Sequence, residues 1–310
     1  MSSFNNRVFG CVVIKSINSN YNADFTHQPR TLPDGTVYAT DKALKYSVRN
    51  YLRNAFSDEN IFYFKTLSEE MQPRTLDETY ESIFTKYEDI KGKDAESKLR
   101  KSVLKNLLTC LDVRLFGGTY AGKTNLSIHG PVQITHGIDR YGLGQIYSEQ
   151  IMSPFRNPGK NNEDSTMTTL GTQSKLSEGH YVHGFSVNPH TIADHVALSE
   201  GTPLQTSDIE KLKAGLSRGV TFYDSAAKSG SENELMLWVQ LKNGSMAVLP
   251  SFVELVKVNA DKSIDLSAIS EIVAREHIAA QIEKIELVYD KTATNVLGIP
   301  AGAIISDINQ

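Results

Sequence analysis

The chain has 310 residues, of which 40% are hydrophobic and 22% are charged. That is enough apolar material for a sizeable core, so a fully disordered chain is excluded. The formal net charge of −4, from 32 basic and 36 acidic side chains, excludes a uniformly basic nucleic-acid binder. It leaves room for a local basic face.

The cysteine usage and the hydropathy pattern indicate the compartment. Cys11 and Cys110 are far apart in sequence and form neither a CxxC pair nor a cysteine–histidine pair at zinc spacing. No apolar run approaches the roughly 18 residues of a membrane span. The first residues lack the pattern of a secretory signal. We expect a soluble, cytoplasmic protein without a metal, a cofactor or a membrane partner.

Hydrophobic periodicity and turn residues predict a chain of strands and helices. The predicted strands are Val8–Ile17, Leu126–Thr135, His180–Asn188, Leu235–Gln240, Met246–Val258 and Ile285–Tyr289. The first predicted helix runs from Thr40 or Asp41 to about Phe56, and the second covers about Thr75–Leu111 with a break near Gly92. A third helix begins at a capping box of Ser207 with Glu210, and a fourth covers about Leu266–Lys284. Asn243-Gly244 between two of the strands predicts a hairpin.

The order of these elements predicts the fold class. It indicates an α+β sheet of the ferredoxin-like or RNA-recognition-motif type with large insertions, in one domain over residues 1–310. A helical insertion is predicted over residues 57–110, and a polar insertion over residues 139–179. The polar insertion is compatible with a surface loop and, equally, with an extended arm that becomes ordered on a partner.

The first helix carries a basic stripe. At about 100° per residue, Lys42, Lys45, Arg49 and Arg53 fall within one narrow arc. No acidic residue follows Asp41 in this helix. Solvated helix faces usually carry charges of both signs. We therefore interpret the stripe as a phosphate-binding surface in preference to a solvated face.

Gly117–Thr124 reads GGTYAGKT and satisfies the phosphate-loop pattern of nucleotide hydrolases. A true phosphate loop follows a buried strand and opens a helix. Here only Leu111–Phe116 could form that strand, and Gly130-Pro131 stops any following helix almost at once. We expect a glycine-rich turn, with nucleotide hydrolysis as the weaker alternative.

The histidines and carboxylates form no evident catalytic cluster. His180 and His183 lie three residues apart in a predicted strand, so they would point to opposite faces and would not share a metal. Asp24 and Asp34 lie in the long loop before the first helix. One such carboxylate could hold a metal at a phosphodiester, which keeps a metal-dependent ribonuclease as an alternative.

Four stretches, in this order, resemble the backbone subunit of type I CRISPR Cascade complexes, the seventh Cas family, and within it the Csh-type branch of subtype I-B. They are VVIKSINSNYNADFTHQPRT with the following GTVYATDKALKYSVRNYL, then CLDVRLFGG, GPVQITHGID and GHYVHGFSVNPH. SAAKSG at Ser225–Gly230 resembles a weaker, later signature. The resemblance spans most of the chain, and the combination of stretches is more specific than any one of them.

The resemblance implies an RNA-recognition-motif palm with inserted fingers and a thumb at residues 139–179. It implies a non-catalytic subunit that oligomerises along the spacer of a guide RNA and presents it for pairing with target DNA. The implied partners are the CRISPR guide RNA, copies of the chain itself, other Cascade subunits and the target DNA strand. The protein would then read backbone and shape, while base pairing reads sequence.

The stripe and the resemblance together assign the site residues. The predicted guide-RNA contacts are Asn20, Arg30, Lys42, Lys45, Arg49, Arg53, Arg114, Gln133 and His136. The candidate apolar wedges of the thumb are Met152, Phe155 and Met167.

Overall fold

A computed structural model describes residues 2–88, 90, 92–152 and 170–309. Its strands are β1 Val8–Ser19, β2 Tyr38–Ala39, β3 Gly117–Ala121, β4 Asn125–His129, β5 Val132–Asp139, β6 Ile146–Met152, β7 Leu170–Val187, β8 Ser231–Leu241, β9 Lys257–Val258, β10 Ile264–Asp265, β11 Ile282–Tyr289, β12 Val296–Leu297 and β13 Ile304–Ser306. Its α-helices are α1 Asp41–Ala55, α2 Leu76–Phe84, α3 Ala95–Leu107, α4 Leu111–Phe116, α5 Ala193–Ser199, α6 Thr206–Phe222, α7 Ser267–Val273 and α8 Glu276–Ala279.

One large sheet organises the chain, in the strand order β13-β11-β8-β1-β7-β5-β2. β1 lies at its centre and pairs antiparallel with both β7 and β8. β6 extends the other half of β7 as an antiparallel hairpin, with Met152 opposite Leu170. Along the chain the central elements follow as β1, α1, β5, β7, α6 and β8. The predicted mixture of helices and strands is therefore confirmed.

Both faces of β1 are buried. Val12 and Ile14 face α1 and α6 and belong to the first core, together with Leu44 of α1 and Leu216 of α6. α1 and α6 approach each other closely at Gly219. A Cβ atom there would lie only 3.0 Å from the backbone oxygen of Ser47. Burial on two sides explains why the sequence of β1 is continuously apolar instead of alternating.

The C-terminal part of the chain covers the opposite face of the sheet. There Cys11 and Val13 join a second core with Phe252, Ile264 and Ile269. A third core lies outside the sheet and includes Phe62, Tyr80, Leu107 and Tyr120. Within the described residues, no helix is long and apolar enough to cross a bilayer.

Several predicted elements differ from the observed ones. The strand predicted over Leu126–Thr135 is two strands, β4 and β5, because Gly130-Pro131 interrupts it. The helix predicted over Leu266–Lys284 ends early, and Lys284 lies in β11. α6 begins with a capping box of Gln205 and Asp208, so the predicted box at Ser207 with Glu210 is wrong.

The hairpin predicted at Asn243-Gly244 is also wrong. The chain does turn there, with a left-handed φ of +77° at Gly244. However, both edges of β8 are occupied, by β1 on one side and β11 on the other. Residues after the turn therefore pack onto the sheet face through Leu249 and Phe252 instead of pairing with β8.

Candidate nucleic-acid interface

The predicted stripe lies on one side of α1, but its four cations are not equivalent. Lys42 and Arg53 are exposed. Lys45 Nζ lies 3.2 Å from Asp41 Oδ2, and Arg49 Nε lies 3.0 Å from Asp112 Oδ2. Lys45 and Arg49 therefore each have a carboxylate partner, although no acidic residue follows Asp41 within the helix itself.

Aromatic rings line the stripe. The Arg49 guanidinium lies 5.0 Å from the ring centroid of Phe116 and 5.9 Å from that of Tyr63. The Arg53 guanidinium lies 5.0 Å from the ring centroid of Phe64. Such cation–π contacts orient guanidinium planes while leaving their edges free to donate hydrogen bonds. We call Lys42, Lys45, Arg49 and Arg53 with these rings the α1 face.

Asp112 holds Arg49 and the aromatic segment of the α1 face in position. Its side chain is fully buried and accepts hydrogen bonds from the backbone nitrogens of Phe62, at 2.7 Å, and Tyr63, at 2.9 Å. With Arg49 as a third donor, Asp112 holds the aromatic segment 62–64 against α1. Asp112 was not among the site residues predicted from the sequence. The available signals were its place in CLDVRLFGG and the aromatic run Phe62–Phe64.

Arg114 requires a correction, because it is buried and not available to RNA. Its Nε and Nη2 each lie 2.9 Å from an oxygen of Asp208, and Nη2 lies 3.3 Å from Glu59 Oε2. Its Nη1 donates to the carbonyl oxygen of Thr109 at 2.6 Å. The guanidinium joins α4 to α6 and has no free edge for a phosphate.

Asn20 also requires a correction. It is buried, and its Nδ2 donates to the carbonyl oxygens of His27, at 3.1 Å, and Ser174, at 3.2 Å. Asn20 thus ties the long loop to β7.

Arg30 is half-buried, and its guanidinium lies 6.0 Å from the ring centroid of the exposed Phe25. The buried Nε of Arg30 has no hydrogen-bond partner among the described residues.

Gln133 and His136 are both exposed on β5. His136 stands at the N-terminus of α1, where its Nδ1 lies 3.7 Å from Asp41 Oδ1 and its ring centroid lies 5.5 Å from that of Tyr38. The Nε2 atom of Gln133 donates to the carbonyl oxygen of Gly130 at 2.8 Å. The structure therefore brings His136 next to the α1 face.

The predicted thumb is described only in part. Met152 is exposed at the end of β6. Phe155 and Met167 lie outside the described residues. The described parts of residues 139–179 include the antiparallel pair of β6 and β7.

The phosphate-loop pattern falls in a β-hairpin. Gly117 begins β3, which pairs with β4, and the segment before it, Leu111–Phe116, is the helix α4 and not a strand. Gly117 has a left-handed φ of +65°, and a Cβ atom there would lie 2.1 Å from the carbonyl oxygen of Ile128. The backbone nitrogen of Lys123 donates to Asp77 Oδ1 at 3.1 Å. The pattern therefore forms a glycine-rich turn of a hairpin, as predicted, and Gly117 is required where the chain passes from α4 into β3.

Asp24 and Asp34 stabilise turns in their own loop. Asp24 Oδ1 accepts hydrogen bonds from the backbone nitrogens of Thr26, at 2.7 Å, and Gln28, at 3.0 Å. Asp34 Oδ1 accepts one from the backbone nitrogen of Thr36 at 2.9 Å. The hydroxyl of Thr26, with these backbone nitrogens, lowers the pKa of the Asp24 carboxyl, and the backbone nitrogen of Thr36 lowers the pKa of the Asp34 carboxyl. Among the described residues, no group of three or more His, Cys, Asp or Glu could hold a metal ion.

His180 and His183 lie on β7 in different surroundings. His180 Nδ1 lies 2.6 Å from Glu234 Oε2, whereas His183 Nε2 lies 3.3 Å from the Tyr21 hydroxyl. Burial opposes protonation of His180, but Glu234 and Glu178 outweigh it and raise the pKa. Burial lowers the pKa of His183 to about 4. These separate partners agree with the prediction that the two rings do not share a site.

Comparison with known proteins gives the family. The family model described as CRISPR-associated protein Cas7 matches residues 6–275. A chain of a solved structure called "CRISPR RNA-guided surveillance complex, pre-nicking" is similar with a TM-score of 0.58 at 12% identity, covering 98% of this chain and 97% of that one. A chain of a "CRISPR RNA-guided surveillance complex" gives a TM-score of 0.51 at 11% identity, covering 93% and 91%. Comparison with curated protein sequences finds no match. At these identities the solved structures show a shared fold, and the family match shows that this chain belongs to the CRISPR-associated Cas7 family.

Proposed function

We propose that this chain is a non-catalytic backbone subunit of a type I Cascade complex, of the Csh-type branch of subtype I-B. In this proposal, copies of the chain line the spacer of a guide RNA and present it to target DNA. The family match supports this role. The single observation that carries it in the structure is the α1 face, where the exposed cations Lys42 and Arg53 share one side of α1 and Arg53 lies beside the ring of Phe64.

The fold supports an RNA-recognition-motif palm. The order β8-β1-β7-β5, with α1 and α6 in one core, corresponds to a β-α-β-β-α-β connectivity. Domains of this type often bind RNA on the open face of the sheet. Here the C-terminal part of the chain covers that face at β1 and β8. RNA would therefore bind at the α1 face, beside the sheet.

The α1 face suits a single strand read without regard to sequence. Cations contact phosphates, and aromatic rings provide surfaces on which bases can stack. Lys42 and Arg53 have no carboxylate within 4 Å among the described residues, so their charge is available to phosphates. The bases would then remain free to pair with target DNA.

The test replaces the two exposed cations together, as Lys42→Gln with Arg53→Gln. The matched control is Lys101→Gln with Lys105→Gln, an equal loss of charge at exposed positions on α3. Each lost phosphate contact should reduce the slope of log K against log salt by about 0.7 for a single strand. The variant should therefore lose about 1.4 from the slope, while its melting temperature stays close to that of the wild type.

Equal RNA affinity and salt slope in the variant and the control would refute the α1 face as the interface. Lys45 and Arg49 are less suitable for this test. Removal of Arg49 would take one of three donors from the buried Asp112, so lost binding could reflect a displaced 62–64 segment. The non-catalytic part of the proposal has its own test: wild type and Asp24→Ala should leave the guide equally uncut in magnesium.

A further inference from the structure

The turn between α6 and β8 holds a lysine in a fixed position. The backbone nitrogen of Lys228 donates to the carbonyl oxygen of Ser225 at 3.0 Å, and its carbonyl oxygen accepts from the nitrogen of Ser231 at 2.8 Å. The neighbouring carbonyl oxygen of Ala227 accepts from the nitrogen of Asn20 at 2.7 Å. The backbone of Lys228 is therefore pinned on both sides, which limits where its side chain can reach.

The Lys228 ammonium lies between two tyrosine rings, and none of the described carboxylates pairs with it. Its Nζ atom is 5.4 Å from the ring centroids of both Tyr21 and Tyr223. Within the part of the chain that the structure describes, no carboxylate forms an ion pair with it, and burial is the one influence on its charge. By contrast, Lys15 Nζ lies 2.5 Å from Glu232 Oε1, and Lys213 Nζ lies 2.7 Å from Glu286 Oε2.

This environment leaves the positive charge of Lys228 poorly compensated. The tyrosine faces attract the ammonium, but burial still lowers the pKa of Lys228 to about 8. A half-buried ammonium without a carboxylate is stabilised when an external anion approaches it. The geometry of the turn therefore presents a preformed position for one negative charge.

A continuous row of aromatic rings joins Lys228 to the α1 face. The ring centroid of Tyr223 lies 5.2 Å from that of Tyr46, which lies on α1. Tyr46 stacks on Phe64 at 5.1 Å, and Phe64 carries the Arg53 guanidinium at 5.0 Å. Lys228 and Arg53 thus mark the two ends of one aromatic row. Cations with interleaved aromatic rings are typical of surfaces that bind single-stranded nucleic acid.

We propose that Lys228 binds a backbone phosphate of the guide RNA, as an extension of the α1 face across the row of Tyr223, Tyr46 and Phe64. This inference rests on the proposed function. The contacts predicted from the sequence lie in the long first loop, in α1, at the arginine of CLDVRLFGG and in β5. Lys228 would add a contact from the turn before β8.

The experiment compares Lys228→Gln with Lys228→Arg and with the control Lys291→Gln, which removes an exposed lysine after β11. Affinity for a single-stranded guide RNA is measured at several salt concentrations. Lys228→Gln should weaken binding about five- to tenfold near 0.1 M salt and reduce the salt slope by about 0.7. Lys228→Arg should keep the slope, and Lys291→Gln should match the wild type.

A second measurement does not depend on a substitution. An amine-reactive reagent is applied to the wild-type protein with and without saturating RNA, and modification is quantified at each lysine by mass spectrometry. RNA should reduce modification of Lys228 several-fold and leave Lys291 unchanged. Equal modification of Lys228 with and without RNA would overturn the inference.

The outcomes separate the two proposals. RNA binding by the wild type together with an unaltered slope in Lys228→Gln would reject the Lys228 contact and leave the proposed function standing. Absence of RNA binding by the wild type would reject both. A loss confined to single-stranded DNA of the same sequence, with RNA affinity intact, would also overturn the assignment to the guide.

Discussion

Arg114→Met should unfold the protein more easily without directly altering RNA contacts. The two side chains of the Arg114–Asp208 pair are 5% and 1% exposed, and two parallel bonds of 2.9 Å join them. Glu59 and the carbonyl oxygen of Thr109 also lose a donor. Asp208 in addition closes the capping box at the start of α6. The substitution therefore leaves a buried carboxylate without its cation.

Breaking a buried ion pair by removing one partner costs about 3–5 kcal/mol. For 310 residues, an unfolding entropy of about 2.1 cal/mol/K per residue gives about 0.65 kcal/mol/K at the transition. The melting temperature should therefore fall by about 5–8 °C. Arg114→Met combined with Asp208→Asn should lower the melting temperature by less than the sum of the two single variants. The double variant removes both charges of the pair, whereas each single variant leaves one buried charge without its partner.

The assay pairs thermal unfolding with RNA binding measured well below the transition. Arg53→Gln serves as the control, because Arg53 is exposed on the α1 face and should show the opposite pattern. That control should weaken RNA binding while its melting temperature stays within about 1 °C of the wild type. A normal melting temperature in Arg114→Met, together with weakened RNA binding, would refute the structural role of Arg114.

Three further predictions concern the hairpin of β3 and β4 and the buried His180. Gly117→Ala should destabilise the protein by about 2 kcal/mol or more because of its left-handed φ and the carbonyl of Ile128. Gly171→Ala, whose Cβ would meet no described residue closer than 3.8 Å, should melt like the wild type. Magnesium–ATP should not raise the melting temperature, and a clear rise would restore the phosphate-loop interpretation. The raised pKa of His180 adds stability that is complete below the unfolded pKa of about 6.5 and is lost as pH rises through the folded pKa. His180→Gln should therefore reduce the fall in melting temperature as the pH rises above about 6.5, and an unchanged pH profile would count against this assignment.

Elements set by local signals were predicted closely. The strand predicted over Val8–Ile17 is β1, Val8–Ser19, and the helix predicted to begin at Thr40 or Asp41 is α1, which begins at Asp41. A continuous β-branched run and a regular apolar period of 3.6 residues are both properties of short segments. Neighbouring parts of the fold were not needed to recognise them.

Elements set by distant partners were not predicted. Asn243-Gly244 is a valid turn, but β1 and β11 already occupy both edges of β8. LDVRLF, the one candidate for a strand before the glycine turn, forms the buried helix α4, where Asp112 and Arg114 each reach a partner far away in sequence. Pairing and burial of this kind depend on which segments meet in the folded chain, and no local pattern encodes that.

The sequence by itself determined that four cations share one arc of α1 and that the chain carries the pattern of its family. Only the tertiary structure decided which cations are available to a phosphate. Carboxylates 63 and 94 residues away neutralise Arg49 and Arg114, while Lys42 and Arg53 stay exposed. The fold also set Lys228 between two tyrosine rings without a carboxylate among the described residues. Charge compensation acts over a few ångströms in space, so it follows the packing of the chain and not the order of its residues.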